Sequence, residues 1–225
     1  DRIDHDDADS AVARTFSPIG DLLFVALQGT NRIDVLDLYN NGAPLAVIGN
    51  VGLAPQGLVI DAANRRLWVQ NLLSRDVAVY DIAGILGNTT YQPIRLGATP
   101  AIASERLPAN VLAGKRIFYN AADRRMSRDG YISCASCHVD GGHDGRTWDF
   151  SDRGEGLRNT TDLRGRSGMG HGRVHWSGNF DEIQDFEHDI RNAFGGTGFL
   201  ALDPVAFANQ HSSPASTKAG LSPGL

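Results

Sequence analysis

An internal repeat in the first half of the chain constrains the fold more than any other feature. Residues 21–26 (DLLFVA) recur 44 positions later as residues 65–70 (RRLWVQ), and residues 31–37 recur as residues 75–81. Each unit contains two short β-rich runs separated by turn residues, and the second run alternates apolar and polar side chains. A period of about 40 to 45 residues with several strands in each unit is typical of the blades of a β-propeller.

The turn before the first repeated run, residues 17–21 (SPIGD), and the strands after it resemble the YVTN-type propeller family. The resemblance implies two β-blades of a partial propeller in residues 1–87. The alternative is a small two-unit β-sheet that repeats by chance. Because blades bury their faces against neighbouring blades, we expect further blades either upstream of Asp1 or in another chain.

Both cysteines of the chain fall in one run of five residues, 134–138 (CASCH). Two thiols separated by two residues and followed directly by a histidine are typical of a haem c attachment site, in which the histidine ligates the iron. We therefore expect Cys134 and Cys137 to hold haem c and His138 to be its proximal ligand. The alternatives are a zinc site that recruits His143, a thioredoxin-like redox pair and a structural disulfide.

Between the repeat and the cysteines lie a linker and a helix. Residues 88–107 are rich in Gly, Asn, Thr, Pro and Ala, which predicts a linker. After it, Val111, Gly114, Phe118 and Ala121 recur at helical spacing and predict a helix that Asn110 caps.

Beyond the cysteines, residues 140–178 are polar, rich in Gly and Arg, and almost without periodicity. A loop of this length inside a domain is usually functional, and a cofactor can supply the apolar core that it lacks. Asn179 and Glu182 form a capping box, and apolar residues at helical spacing predict a helix over residues 180–194. Residues 212–225 are rich in Ser, Pro and Gly and are expected to be a linker to a downstream domain.

Composition excludes two classes of partner. The formal net charge is −5 and the basic residues are dispersed, so nothing predicts binding to nucleic acid. No apolar stretch approaches the roughly 20 residues that cross a bilayer. The first residues do not form a signal peptide, so we expect a mature or trimmed product. Because bacteria attach haem c outside the cytoplasmic membrane, the motif predicts a periplasmic or secreted protein.

Four motifs together resemble the first haem domain of the dihaem cytochrome c peroxidase superfamily, which includes the methylamine-utilisation dihaem enzymes. They are residues 114–118 (GKRIF), 134–138 (CASCH), 157–160 (LRNT) and 174–179 (VHWSGN). The resemblance covers roughly residues 108–200.

This resemblance implies a mainly helical cytochrome c domain with one haem c at residues 108–211. The expected fold class is therefore α+β, with a partial β-propeller of two β-blades in front of the mainly helical domain. In the superfamily, a small residue at the position of Gly114 lets the first helix cross another helix closely.

The resemblance also assigns candidate site residues. It implies that Asn159 helps to bind calcium between two haem domains and that Trp176 relays electrons between the haems. His175 occupies a position that faces the distal side of the haem, and we take His175 and Trp176 as the candidate catalytic residues. Ser177 and Asn179 stand where the family has aspartate and arginine, and no residue matches its distal glutamate, which weighs against peroxidase turnover.

The ligand of the iron opposite His138 is left open between several residues. Met169 lies in a Gly-Met-Gly turn similar to the thioether loop of electron-transfer cytochromes, and His175 is an equally strong candidate. His171, His143 and an open or water-bound position complete the alternatives. Methionine would suit electron transfer, whereas an open position would admit peroxide or oxygen.

Two functions follow from the resemblance. The first is an oxidoreductase of the dihaem peroxidase type, with a second haem domain beyond residue 225. The alternative is a non-enzymatic electron-transfer cytochrome, in which the propeller docks an electron-transfer protein partner. A third and weaker reading makes the propeller the catalytic or ligand-binding part and the cytochrome its electron outlet.

Overall fold

The computed structural model describes residues 10–151, 155–165, 173–178, 180, 183–201 and 222–223. Contacts along the chain divide it into two compact units, Asp1–Ala122 and Asp123–Leu225.

Unit 1 contains two four-stranded antiparallel sheets, each with its strands in chain order. The strands of the first sheet are β1 (Ala11–Phe16), β2 (Leu22–Leu27), β3 (Arg32–Asp37) and β4 (Ala43–Ile48). Those of the second are β5 (Pro55–Asp61), β6 (Arg66–Asn71), β7 (Asp76–Asp81) and β8 (Ile94–Pro100). A four-stranded antiparallel meander is the form of a propeller blade, so the β-propeller-like part of the prediction is confirmed.

The 44-residue repeat is reproduced in the register of the two sheets. Phe24 pairs across the first sheet with Val35, and Trp68 pairs across the second with Val79. Phe24 and Trp68 therefore occupy equivalent places in consecutive sheets.

The core of unit 1 lies between the two sheets, because strand side chains alternate between the faces. Phe24 and Val35 of the first sheet are fully buried in one cluster with Leu67, Val69 and Tyr80 of the second. Full burial of side chains of this size stabilises by about 1.5–3 kcal/mol each. The repeat thus specifies which face of each sheet is apolar.

The connection between the two sheets is fixed by side-chain amides. Asn31 accepts a hydrogen bond from the amide of Ala54 (2.9 Å), and Asn71 donates to the carbonyl of Val51 (2.9 Å). Gly52 has a φ of +137°, and a Cβ at this position would collide with the side chain of Asn71. Only glycine fits this close approach.

Two helices belong to unit 1, and the second contradicts the predicted cytochrome helix. Helix α1 (Ala83–Leu86) links β7 to β8, and α2 (Ala109–Tyr119) follows the second sheet. The residue after α2, Asn120, accepts a hydrogen bond from Asn31 in the β2–β3 turn (2.9 Å). Gly114 lies exposed on α2, and an added Cβ there would meet nothing within 4 Å. The close helix crossing expected at this glycine is therefore absent from the described structure.

Unit 2 is built from short elements. They are α3 (Cys134–Cys137), α4 (Phe186–Asn192), 3₁₀ turns at Val139–Gly141 and Ile183–Asp185, and the strand pairs β9 (Thr147–Phe150) with β10 (Gly156–Asn159) and β11 (Leu200–Ala201) with β12 (Ser222–Pro223). The described helices of this unit span four and seven residues. Most of the described chain is antiparallel sheet and loop, so the prediction of a mainly helical cytochrome c domain is wrong. The reason is the unperiodic, polar sequence after the cysteines, which gives no helix an apolar face to bury.

The helix predicted over residues 180–194 is shorter in the structure. After a 3₁₀ turn, α4 ends at Asn192, and the amide of Gly196 donates to the carbonyl of Ile190 (2.9 Å). The proposed capping-box residues, Asn179 and Glu182, lie outside the described residues.

The predicted domain limits at residues 87, 107 and 211 stay predictions. The sheet of the second blade extends beyond residue 87, because β8 pairs with β7. No helix within the described ranges is long and apolar enough to cross a membrane.

Candidate functional site around Cys134, Cys137 and His138

The cysteines lie in the single turn of α3, which a capping box holds at its start. Ser133 and Ser136 exchange hydrogen bonds between side chain and backbone, and the Ser133 amide lies 2.8 Å from Ser136 Oγ. The amide of His138 donates to the carbonyl of Cys134 (2.9 Å) and closes the turn. Side chains three residues apart lie on the same side of a helix, so we expect Cys134 and Cys137 to share one side of this turn.

Both cysteines are half-buried, and no disulfide joins them. Burial raises the pKa of Cys134 from 9.0 to about 11. A thiol with such a pKa stays protonated at neutral pH, whereas the attacking cysteine of a thioredoxin-like pair has a lowered pKa. The raised pKa of Cys134 therefore disfavours the thioredoxin-like redox pair.

His138 follows the turn directly, and backbone carbonyls hold its ring. Nδ1 lies 2.8 Å from the carbonyl oxygen of Thr161 and 3.3 Å from that of Gly142. A carbonyl only accepts hydrogen bonds, so in the neutral ring the proton is on Nδ1 and the lone pair on Nε2. Carbonyl support of this kind is how proteins orient a histidine that serves as a ligand or base through its other nitrogen.

The segment 160–165, which we call the strap, lies along residues 138–144. Thr160 Oγ1 donates to the carboxylate of Asp144 (2.8 Å), and the amide of Leu163 donates to the carbonyl of Gly141 (2.7 Å). Together with the contact between His138 and Thr161, the strap makes three polar contacts to residues 138–144. These contacts hold the Thr161 carbonyl beside the imidazole of His138.

An exposed ion pair lies at the end of the strap. Arg164 donates to Asp162 (2.6 Å) and holds the pKa of this carboxyl down at about 2. The same guanidinium lies against Gly142, where a Cβ would come within 3.1 Å of Arg164 Nη2. Gly141 has a φ of +77°, so the two glycines let the strap approach closely.

The structure brings a second group of side chains together around His175. Its Nδ1 lies 3.4 Å from Glu155 Oε1, and Ser177 Oγ donates to Glu155 Oε2 (2.8 Å). The imidazole also packs on Phe180 and Phe186, with ring centroids 4.4 and 4.7 Å away. His175 has a φ of +69°, which is unusual for a residue with a side chain and indicates a conformation imposed by its surroundings.

Trp176 lies on the surface beside this group. Its indole nitrogen donates to the carbonyl of Asn159 (2.8 Å), while 64% of the residue is exposed. Trp176 is therefore not a buried core residue.

The remaining ligand candidates differ in what the structure says of them. His143 is exposed. Met169 and His171 lie outside the described residues. Their predicted roles opposite His138 therefore receive no support from the structure.

The predicted cofactors and activity are contradicted. No three His, Cys, Asp or Glu side chains within the described residues form a group able to hold a metal ion. Asn159, predicted to bind calcium, donates its amide to Thr147 Oγ1 (3.4 Å) and offers its carbonyl to Trp176. The helical frame of a cytochrome is also missing from the described part of unit 2. The predictions of haem c, calcium, a dihaem peroxidase-like oxidoreductase and an electron-transfer cytochrome are therefore wrong.

Sequence reasoning missed the groups that support the two histidines. Thr161 contributes only a backbone carbonyl, for which no side-chain pattern exists. Glu155 lies 20 residues before His175 in a stretch without periodicity, so no spacing links the two. Asp144 does have a local sequence signal. Its carboxylate accepts a hydrogen bond from the amide of Arg146, two residues later, and aspartate is a typical residue at this position of a turn.

No protein-family model matches the chain, and no curated protein matches it. Solved structures with partial likeness include the periplasmic gluconolactonase PpgL of Pseudomonas aeruginosa (21% identity, TM-score 0.36), a Lactobacillus plantarum protein (17%, 0.37) and the Cps50 (Swd1) β-propeller domain of Myceliophteria thermophila (14%, 0.36). These matches cover 44%, 44% and 41% of this chain and 28%, 28% and 29% of the other chains. The chain thus spans less than a third of their length, and likeness at this level assigns neither a family nor an activity. The described fold contradicts the resemblance to the cytochrome c peroxidase superfamily, so that prediction is wrong.

Proposed function

We propose that unit 2 binds a ligand at the thiol–imidazole site formed by Cys134, Cys137 and His138. The observation that carries the proposal is the 2.8 Å contact between His138 Nδ1 and the carbonyl oxygen of Thr161. This contact leaves the lone pair of Nε2 available to a ligand, and the described residues place no hydrogen-bond partner on that nitrogen.

The three side chains are close neighbours along the chain. We expect the cysteines to share one side of the α3 turn, and His138 is the residue at which that turn ends. Within five residues the chain thus offers two sulfur atoms and one imidazole nitrogen.

The raised pKa of Cys134 argues against thiol–disulfide exchange. A thiol that stays protonated at neutral pH attacks disulfides slowly, because the thiolate is the nucleophile.

Mass spectrometry of the protein isolated from producing cells tests this function. We expect the native mass to exceed the mass calculated from the sequence, and the denatured mass to show whether the excess is covalent. Cys137→Ala should remove the excess and His138→Ala should reduce it. The matched control is His143→Ala, which changes an exposed histidine five residues away and should retain the excess. A native mass equal to the sequence mass in every preparation would contradict the proposal.

A second candidate function rests on the group around His175. We propose that His175 acts as an acid–base residue that Glu155 orients, beside the exposed indole of Trp176. Support comes from the position of the Glu155 carboxylate between His175 Nδ1 and Ser177 Oγ, and from the positive φ of His175.

Hydrolysis of p-nitrophenyl acetate, a general probe of reactive imidazoles, tests the second candidate. We expect His175→Gln to lower the rate more than His143→Gln, although His143 is the more exposed histidine. Trp176→Phe should change the Michaelis constant rather than the turnover. Equal losses in the two histidine variants would remove His175 from consideration.

A periplasmic or secreted location stays a prediction. Fractionation of cells that produce the natural gene product tests it directly.

A further inference from the structure

The outer face of the second sheet has an apolar row that the described residues of unit 1 leave partly exposed. Val59, Trp68 and Val79 are paired directly across β5, β6 and β7. Val59 is 63% exposed and Trp68 is 37% exposed. We call this row and its sheet face the Trp68 face, and we propose that it docks a further β-blade of the same repeat.

The first sheet shows what such a face does when it has a partner. Its equivalent row contains Thr15, Phe24 and Val35, paired across β1, β2 and β3. Phe24 and Val35 are 0% exposed, because this face packs on the second sheet. The Trp68 face is therefore the repeat of an interface that already exists within the chain.

The chemistry of the occupant follows from that existing interface. Phe24 packs on a sheet face that presents Leu67, Val69 and Ala78. A blade with small aliphatic side chains at these positions would receive Trp68 in the same manner. Stacked blades bury a continuous core in this way, and a blade without a neighbour leaves an apolar face in water.

A charged row borders the Trp68 face and matches the rim of an interface. Asp61, Arg66 and Asp81 are paired across the same three strands, one step beyond the apolar row. Interfaces combine an apolar centre with a polar rim, so the position of these charges fits a docking surface.

A second copy of this chain does not supply the required aliphatic face. In the first sheet the positions 44 residues earlier belong to Leu23, Val25 and Asp34; Val25 is 7% exposed, Asp34 is 6% exposed, and Asp34 is not aliphatic. That face is already covered in the described structure. The occupant is therefore an additional blade, and self-association through the Trp68 face is an outcome that contradicts the proposal.

A duplicated repeat tests the docking directly. Residues 49–100 are copied and inserted after Pro100, so that the copy follows the second sheet through the same connection that joins the first two sheets. The copied tryptophan, Trp148 and Trp176 are changed to Phe, which leaves Trp68 as the only tryptophan. When the copied blade is present, we expect acrylamide to quench the fluorescence of Trp68 much less. We also expect the midpoint of urea unfolding to rise.

The control is the same duplicated chain with Val59→Lys in the original blade. Val59 is mostly exposed, so the lysine should leave the original sheets folded while placing a charge in the apolar row. Trp68 should then stay accessible to acrylamide. If Trp68 is equally accessible with and without the copied blade in a folded, monomeric chain, the proposal is wrong.

Photo-crosslinking decides the matter if the duplicated chain does not fold. p-Benzoylphenylalanine at position 59 of the natural gene product should crosslink to a segment with the strand pattern of the repeat. Crosslinks to position 59 of a second copy, or none, would overturn the proposal.

Discussion

Each of the two units of this protein is stabilised internally by a different kind of interaction. In unit 1, side chains that alternate along β2, β3, β6 and β7 form one apolar core between two sheets. In unit 2, polar side chains bond to the backbone of distant segments, as His138 does with the Thr161 carbonyl. The repeated alternation of apolar and polar residues makes the fold of unit 1 predictable from the sequence. Unit 2 is specified by individual polar contacts, which have no such pattern.

Glu187 shows the second mode most clearly. Its carboxylate is 4% exposed and accepts hydrogen bonds from Arg191 Nε (2.8 Å) and from the amides of Phe199 (3.0 Å) and Leu200 (3.2 Å). A buried carboxylate must be satisfied by such partners because its desolvation is costly. This one side chain connects α4 to β11 where the unit has little apolar surface to do so.

The largest expected effect distinguishes the two equivalent aromatics of the repeat. Phe24→Ala should lower the free energy of unfolding of unit 1 by about 3–5 kcal/mol, because it leaves a cavity in the core. Trp68→Ala, the matched change on the exposed face, should cost about 1 kcal/mol or less. Urea unfolding of both variants measures the difference. Equal losses would show that the two sheets do not repeat one packing arrangement.

Glu187→Gln should have the next largest effect, and it should act on unit 2. The amide keeps one oxygen acceptor but loses the charge opposite Arg191, and we expect a loss of about 2 kcal/mol. Hydrogen exchange at Phe199 and Leu200 should accelerate, while exchange in β2 and β6 should not change. Acceleration in both units alike would contradict the assignment of this contact to unit 2.

The pKa of Cys134 predicts a loss of stability at alkaline pH. Since the thiol titrates near 9.0 when unfolded and near 11 when folded, its contribution is complete below pH 9 and is lost as the pH rises to 11. The loss should be on the order of 2 kcal/mol. The difference in unfolding free energy between the native chain and Cys134→Ala, followed from pH 8 to 11, isolates this group. A difference that does not vary with pH would contradict the raised pKa.

The smallest effect should come from the exposed ion pair of the strap. Asp162→Asn removes a charge from an interaction that water screens, so the melting temperature should stay unchanged. A decrease as large as that of Glu187→Gln would show that the strap is held by this pair rather than by its backbone contacts.

The sequence predicted the parts of the fold that depend on periodicity. The offset between Phe24 and Trp68 correctly placed two consecutive β-rich units, because alternation with period two and a fixed repeat both reflect burial on sheet faces. The same reasoning ended the blades at residue 87 and left out β8, whose residues are almost all exposed and show no alternation.

Reasoning from motifs failed where it required a whole domain. Spacing at Gly114 and Phe118 does predict a helix, and α2 is present, but α2 belongs to unit 1 and Gly114 crosses no helix in the described structure. For the site, the sequence selected Cys134, Cys137 and His138, and their shared role stays a prediction. The sequence could not select the Thr161 carbonyl or Glu155, because neither lies at a spacing that secondary structure imposes.

The tautomer of His138 tests the central claim most directly. Long-range ¹H–¹⁵N correlation spectra of the neutral imidazole distinguish the protonated ring nitrogen from the one that bears a lone pair. We predict a proton on Nδ1, which donates a hydrogen bond to the Thr161 carbonyl, and a lone pair on Nε2. The ¹⁵N resonance of Nε2 should shift when the ligand binds. A proton on Nε2 would mean that this nitrogen has no lone pair with which to bind a ligand. That result would contradict the proposed thiol–imidazole site.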